Sequence, residues 1–268
     1  MRTGEMTAQF SEHDALTAKL LGHLHPQVGA PTCARGCSNC CRVAVGASTG
    51  EVLALLQYVD EQPEGALADF RGIVQRHIAS LERAFSQSEE PEAPPLDALT
   101  VVWGLGPCAF LQPDGACGIY PARPHACRAV HVWHENTICG GRAPQTLVPA
   151  ELIEIRNAFF LDTLMEEVEA GRFPFWGQLT LVAHYLLNYG NEYARGDDLE
   201  PVVDERWLKA GLITFPGKRP RTQASVRRHL KAAMQREEDV FRQERPYGLP
   251  RALSAKNRDA LLPVDSAA

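Results

Sequence analysis

The chain has 268 residues, 45% hydrophobic and 22% charged, with 21 Gly, 19 Pro and 8 Cys. That length and apolar content allow a substantial buried core and exclude a wholly disordered chain. No run approaches the roughly 18 consecutive apolar residues of a membrane span. The formal net charge of −6 is uneven: residues 1–217 carry 15 Lys+Arg against 27 Asp+Glu, whereas the remainder carries 12 against 6. An acidic body thus precedes a basic tail. Charges interrupt the N-terminal segment, which lacks the apolar stretch of a secretion signal. The expected compartment is a reducing cytoplasm, where eight cysteines read as metal ligands or redox thiols rather than as a disulfide framework.

In chain order, residues 11–24 predict a helix, with Ala15, Leu16, Lys19, Leu20 and Leu24 at helical spacing and an end before Pro26. A Gly- and Pro-rich loop over 31–42 follows and holds four cysteines. The apolar stretch 43–45 leads into Ser48-Thr49-Gly50-Glu51, a capping box that opens a helix to about Glu61. A second helix is expected over 66–86, where Leu67, Phe70, Val74, Ile78, Leu81 and Phe85 make one apolar stripe. Residues 87–97 read as an acidic, proline-rich connector.

The segment 101–141 is poor in helical periodicity. Gln112-Pro113-Asp114-Gly115 is turn chemistry between Cys108-Ala109-Phe110-Leu111 and Ala116-Cys117-Gly118-Ile119-Tyr120, which predicts a small β-hairpin. Cys127, Cys139, His125, His131 and His134 are expected in irregular chain. From Pro149 a helix should run to about Ala170, capped by Gly171, with Ile153, Phe160, Leu164 and Val168 on its buried face. Residues 178–189 predict an internal helix, and 222–243 an amphipathic one carrying Val226, Leu230, Ala233 and Met234. The expected fold is mainly α, with a cysteine-rich irregular core and a small β-hairpin packed by helices. Its expected organisation is a cysteine-cluster region over 1–145, a helical region over 146–245 and a flexible tail over 246–268.

The chemistry lies in Cys33-x3-Cys37-x2-Cys40-Cys41 and in Cys108-x8-Cys117-x9-Cys127-x11-Cys139. Two or three residues between thiolates let neighbouring sulfurs converge on one centre, four around zinc or one per iron corner of an iron–sulfur cluster. Adjacent side chains tend to diverge, so Cys40 and Cys41 suit two sites, or two irons of one cluster, better than a single ion. One division is two centres of about four ligands, shared between the loop and the middle segment. The competing readings are eight small buried apolar residues with a strained vicinal disulfide, or a dithiol redox protein. Four cysteines within nine residues weigh against the first. The absence of a Cys-x-x-Cys opening a helix after a strand weighs against the second.

The run Ala34-Arg35-Gly36-Cys37-Ser38-Asn39-Cys40-Cys41-Arg42, with Glu51 downstream, resembles the bacterial cysteine-cluster (CxxCxxCC) family of zinc- or iron-chelating proteins. The resemblance continues through Pro107-Cys108-Ala109-Phe110-Leu111 and through residues 115–128, which include Cys117-Gly118-Ile119-Tyr120 and Arg123-Pro124-His125-Ala126-Cys127-Arg128. It covers residues 31–130 and departs from the family pattern by one residue, with three rather than two between Cys33 and Cys37. It implies metal binding without settling the metal or an activity. Arg42, Arg123 and Arg128 would offset thiolate charge and donate hydrogen bonds to sulfur, or else be surface arginines.

His125, His131 and His134 could each replace a thiolate, although a structural role is the stronger expectation for each. His184 is expected in the core, and His13, His23 and His25 are weaker candidates still. The basic run over 216–231 has six Lys/Arg and no interleaved aromatics. It reads as a solvated helix face or a contact with the chain's own acidic body rather than as a nucleic-acid site. There is no phosphate loop, no dinucleotide fingerprint, no nucleophile elbow and no His-Glu-x-x-His. The functional expectation is a cytoplasmic metal-binding protein with Cys33, Cys37, Cys40, Cys41, Cys108, Cys117, Cys127 and Cys139 as ligands. Iron or an iron–sulfur cluster is slightly preferred to zinc. The alternatives are an iron-dependent redox or peptide-modifying enzyme, or a structural-zinc module that meets a protein partner through its helical half.

Overall fold

The computed structural model describes residues 3–28, 38, 41, 45–88, 106–131 and 150–243. The expectations for Cys33, Cys37, Cys40, Cys139, Arg42, His134, the connector beyond Ser88 and the C-terminal tail lie outside the described residues. Helix α1 (Thr3–Val28) is longer than periodicity predicted and passes Pro26, where the backbone forgoes one hydrogen bond of its last turn. Strand β1 (Gly46–Ser48) leads directly into α2 (Thr49–Asp60). The capping box forms as expected, with Ser48 Oγ accepting from Glu51 N–H and the Glu51 carboxylate accepting from Ser48 N–H. Helix α3 (Ala66–Ser88) buries Phe70, Val74, Ile78, Leu81 and Phe85, and Leu67 packs half-buried at the margin of the same core.

The expected hairpin is a miniature. A single bridge joins Leu111 to Cys117, and Gly115 at φ 83° makes the reversal between them. Cys127 lies not in irregular chain but in a one-turn helix, α4 (His125–Arg128), behind a 3-10 turn over Tyr120–Ala122. Four residues are too few to show helical periodicity in a sequence, which accounts for the misreading.

Helix α5 (Ala150–Glu169) ends in a reversal at Gly171, whose φ is 80°. Its buried face needs correction: Leu152, Ile155 and Phe159 pack against Leu16 and Leu20 of α1, while Ile153 is only half-buried. Leu164 and Val168, with Phe160 beside them, face Val226 and Leu230. The helix is sandwiched between α1 and α8 (Gln223–Gln243) and so needs two apolar stripes rather than one.

Strand β2 (Trp176–Gln178) pairs antiparallel with β1 on one side and with β3 (Ile213–Thr214) on the other. At Gly177 a Cβ would stand 2.0 Å from the Leu212 carbonyl oxygen, so only glycine lets these strands close. Gln178 caps α6 (Leu179–Ala194), which buries Leu181, Val182 and Ala183 completely and kinks at Tyr189. His184 on α6 is half-buried against Asn188 rather than in the core. A 3-10 turn over Glu200–Val202 and the short α7 (Glu205–Lys209) complete the described chain. The basic segment reaches back to the acidic body: Arg219 pairs with Glu200, and Arg221 with both Asp198 and Glu200. The fold is mainly α, with eight helices and a three-stranded sheet among the described residues.

Candidate metal centre

Backbone hydrogen bonds bring Cys41 of the first cysteine group to Cys108 of the second. Cys41 N–H donates to the Ser38 carbonyl at 3.0 Å, and the Cys41 carbonyl in turn accepts the Cys108 N–H. Cys41 is thereby tied to the residue that opens the second group. From there the apolar residues of the motif act as anchors. Phe110 is buried and stacks on Phe70 of α3, with ring centroids 5.1 Å apart, and Ile119 is buried in the same core. Cys108, two residues before Phe110, and Cys117, two before Ile119, are held half-buried at its edge. All four described cysteines, Cys41, Cys108, Cys117 and Cys127, are half-buried rather than enclosed. For these four, the reading as fully buried apolar residues does not hold.

Cys127 is positioned by its surroundings on α4. Glu51, 2% exposed, accepts the His125 N–H at the start of this helix at 2.7 Å while its other oxygen serves the Ser48 cap. One carboxylate thus ties α2 to the turn that carries Cys127. Burial pushes the Glu51 pKa up, against the hydrogen bonds from Ser48 and His125 that pull it down. Arg128 closes the other side. Its Nε donates to the Arg123 carbonyl at 2.9 Å, one terminal nitrogen donates to the Pro121 carbonyl at 2.6 Å, and the other pairs with Asp14 of α1. This fork explains the Arg-Pro-x-x-Cys-Arg pattern as a clamp on the turn. Its hydrogen bonds go to carbonyl oxygens and its ion pair to Asp14, beside a Cys127 close enough to act on its charge. Arg123 stacks on Tyr120 and faces Asp14 at 3.9 Å.

The histidines separate. His125 is fully buried, stacked on Phe159, with its Nδ1 3.2 Å from Nδ1 of His13. Sequence reasoning had discounted His13, yet it too is fully buried, and burial, with Arg128 next, lowers its pKa to about 3. One ring must donate to the other, so the pair is a hydrogen-bonded link between α1 and α4. The signal available for His13 was its helical spacing with Gln9, Leu16, Thr17 and Leu20, all on the buried face of α1.

His131 is different. Its Nε2 lies 3.1 Å from the Arg128 carbonyl, which can only accept, so Nε2 carries the proton. Nδ1 is then a bare lone pair, buried and without a hydrogen-bond partner among the described residues. A lone pair of this kind four residues after Cys127 is chemistry that zinc or iron accepts. On that ground the donors present fit a metal. Among the described residues, no three His, Cys, Asp or Glu side chains converge on one point. Four of the eight cysteines lie outside those residues.

A site the sequence did not signal lies beside Cys108. A cleft with about 20 Å³ of room is lined by Val45, Cys108, Phe110 and the polar side chains of His77, Gln178 and Thr180. These come from α3 and from the junction of β2 and α6, which only the fold brings together. No helix among the described residues is long and apolar enough to cross a membrane.

No curated protein and no solved structure matches the chain significantly. Residues 32–143 match the family model CxxCxxCC, described as a "Putative zinc- or iron-chelating domain". That stretch includes all eight cysteines, the Glu51 tie and the Arg128 clamp. Over these residues, fewer than half of the chain, the protein is similar to the CxxCxxCC family of zinc- or iron-chelating domains.

Proposed function

We propose that this is a cytoplasmic metal-binding protein whose cluster holds iron, with Cys37, Cys40, Cys41, Cys108, Cys117 and Cys127 as principal ligands and Cys33 and Cys139 completing the set. The observation that carries this is the hydrogen bond from Cys108 N–H to the Cys41 carbonyl, because it joins the two cysteine groups that must share a centre. The long, irregular spacings and the vicinal Cys40-Cys41 pair favour a multinuclear thiolate centre, such as an iron–sulfur cluster, over two zinc knuckles. The bare Nδ1 of His131 favours a second reading, zinc held by mixed cysteine and histidine donors. In both readings the metal adds folding free energy to the middle segment, whose described residues 106–131 form only one bridge, a 3-10 turn and a one-turn helix.

Anaerobic purification followed by metal analysis, a visible spectrum and acid-labile sulfide determination tests the proposal. A brown protein with broad absorbance and stoichiometric iron and sulfide supports the cluster. A colourless protein with stoichiometric zinc replaces it with the second reading. Metal-free protein whose eight thiols all titrate freely refutes both.

A further inference from the structure

The polar side chains of the cleft beside Cys108 form a chain whose proton positions can be deduced. Leu181 N–H donates to Gln178 Oε1 at 3.0 Å as part of the α6 cap, which fixes the oxygen side of that amide. Thr180 Oγ1 lies 2.6 Å from the same oxygen and must spend its one proton there. The Nδ1 of His77 lies 2.7 Å from Thr180 Oγ1, so it can only be the donor in that contact. His77 is therefore held with its proton on Nδ1 and its lone pair on Nε2. Burial lowers its pKa, which favours the neutral ring. A neutral imidazole whose second nitrogen is tied down by a hydrogen bond is the form in which histidine binds metals. The cleft has room for one water molecule or one ion.

We infer that His77 supplies a nitrogen ligand, through Nε2, to the metal centre that Cys108 joins, with Thr180 and Gln178 as the groups that orient it. This rests on the cysteine-centre reading and extends it to a residue of α3 outside every cysteine motif. It also explains the polarity of the junction: Thr180 is 2% exposed within an otherwise apolar helix start, and its hydroxyl is used entirely in the chain from Gln178 to His77.

The test is long-range proton–nitrogen NMR of the full-length chain with ¹⁵N-labelled histidine, recorded before and after loading with zinc ions alone. His77 is assigned with His77→Gln, or with Thr180→Val if that variant does not fold, since Thr180→Val perturbs the His77 Nδ1 resonance specifically. The expected result is that zinc protects the cysteine thiols and moves the His77 Nε2 resonance to a metal-bound position while Nδ1 stays protonated. His77→Gln should then weaken zinc binding by about tenfold or more. Protected thiols with an unmoved His77 Nε2 overturn the inference and leave the cysteine centre standing. Unprotected thiols and no zinc uptake overturn this inference, while the cysteine centre itself stands or falls by the iron and sulfide determination.

Discussion

Replacing Glu51 by Ala tests whether one carboxylate organises the turn that carries Cys127. In the structure it accepts three hydrogen bonds of 2.7 Å, from Ser48 N–H, Ser48 Oγ–H and His125 N–H. Ser48 and His125 are both fully buried, so the two backbone donors would be left without water as a substitute. A buried donor left unpaired costs about 1–3 kcal/mol, giving roughly 2–6 kcal/mol for the two. Removing a desolvated carboxylate returns part of that, and about 3 kcal/mol is the expected net loss. For a domain of this size, about 2–4 °C per kcal/mol converts this to a Tm lower by about 6–12 °C in thermal unfolding followed by circular dichroism. Metal affinity measured by chelator competition should fall by about tenfold, because the Cys127 turn loses its anchor to α2. A Tm within about 2 °C of the parent, with affinity unchanged, would refute the argument that this carboxylate carries the turn.

Three further expectations concern the same region and its support. The raised pKa of Glu51 means the folded state holds its proton more tightly than the unfolded one, so the stability this group contributes is complete below about pH 4.5 and is lost as pH rises through the elevated folded value. Glu51→Gln should flatten that part of the decline, measured as the parent–variant difference in urea midpoint from pH 4.5 upward; parallel curves would count against it. Arg128→Lys keeps the charge but cannot hold the Pro121 and Arg123 carbonyls together, and should lower metal affinity about tenfold with a small change in overall stability; full retention of affinity would show that the clamp is not needed. Gly177→Ala forces a Cβ against the Leu212 carbonyl and should cost at least about 2 kcal/mol by denaturant unfolding, whereas a neutral result would mean that the β2–β3 pairing shifts without cost.

The local devices were legible because short-range chemistry makes them. The Ser48–Glu51 box, the stripe of α3, the Gly115 reversal and the Gly171 helix end each depend on residues within one or two turns of chain. The motif with its eight cysteines was legible for the same reason, as was the mainly α class. Misreadings arose where a residue answers to distant partners. The buried face of α5 is set by two neighbours, α1 and α8, 100 or more and about 60 residues away respectively. His13 is buried because α4 lies against α1, and the Arg219 and Arg221 side chains are paired because the chain returns to Asp198 and Glu200. The opening arithmetic of an acidic body and a basic tail thus becomes a set of specific ion pairs.

The amino-acid sequence by itself determined the available chemistry: eight cysteines, at spacings that suit a metal, within a chain able to bury a core. The tertiary structure alone decided what holds those donors. It set Phe110 and Ile119 into the helical core, tied Glu51 and Arg128 to the turn that carries Cys127, and placed His77 of α3 in the cleft that Cys108 also lines. Spacing along the chain can say which side chains are able to bind a metal. Only packing, which joins residues 31 or 74 positions apart, can orient them, because the hydrogen bonds and buried surfaces that do so do not exist until the helices meet.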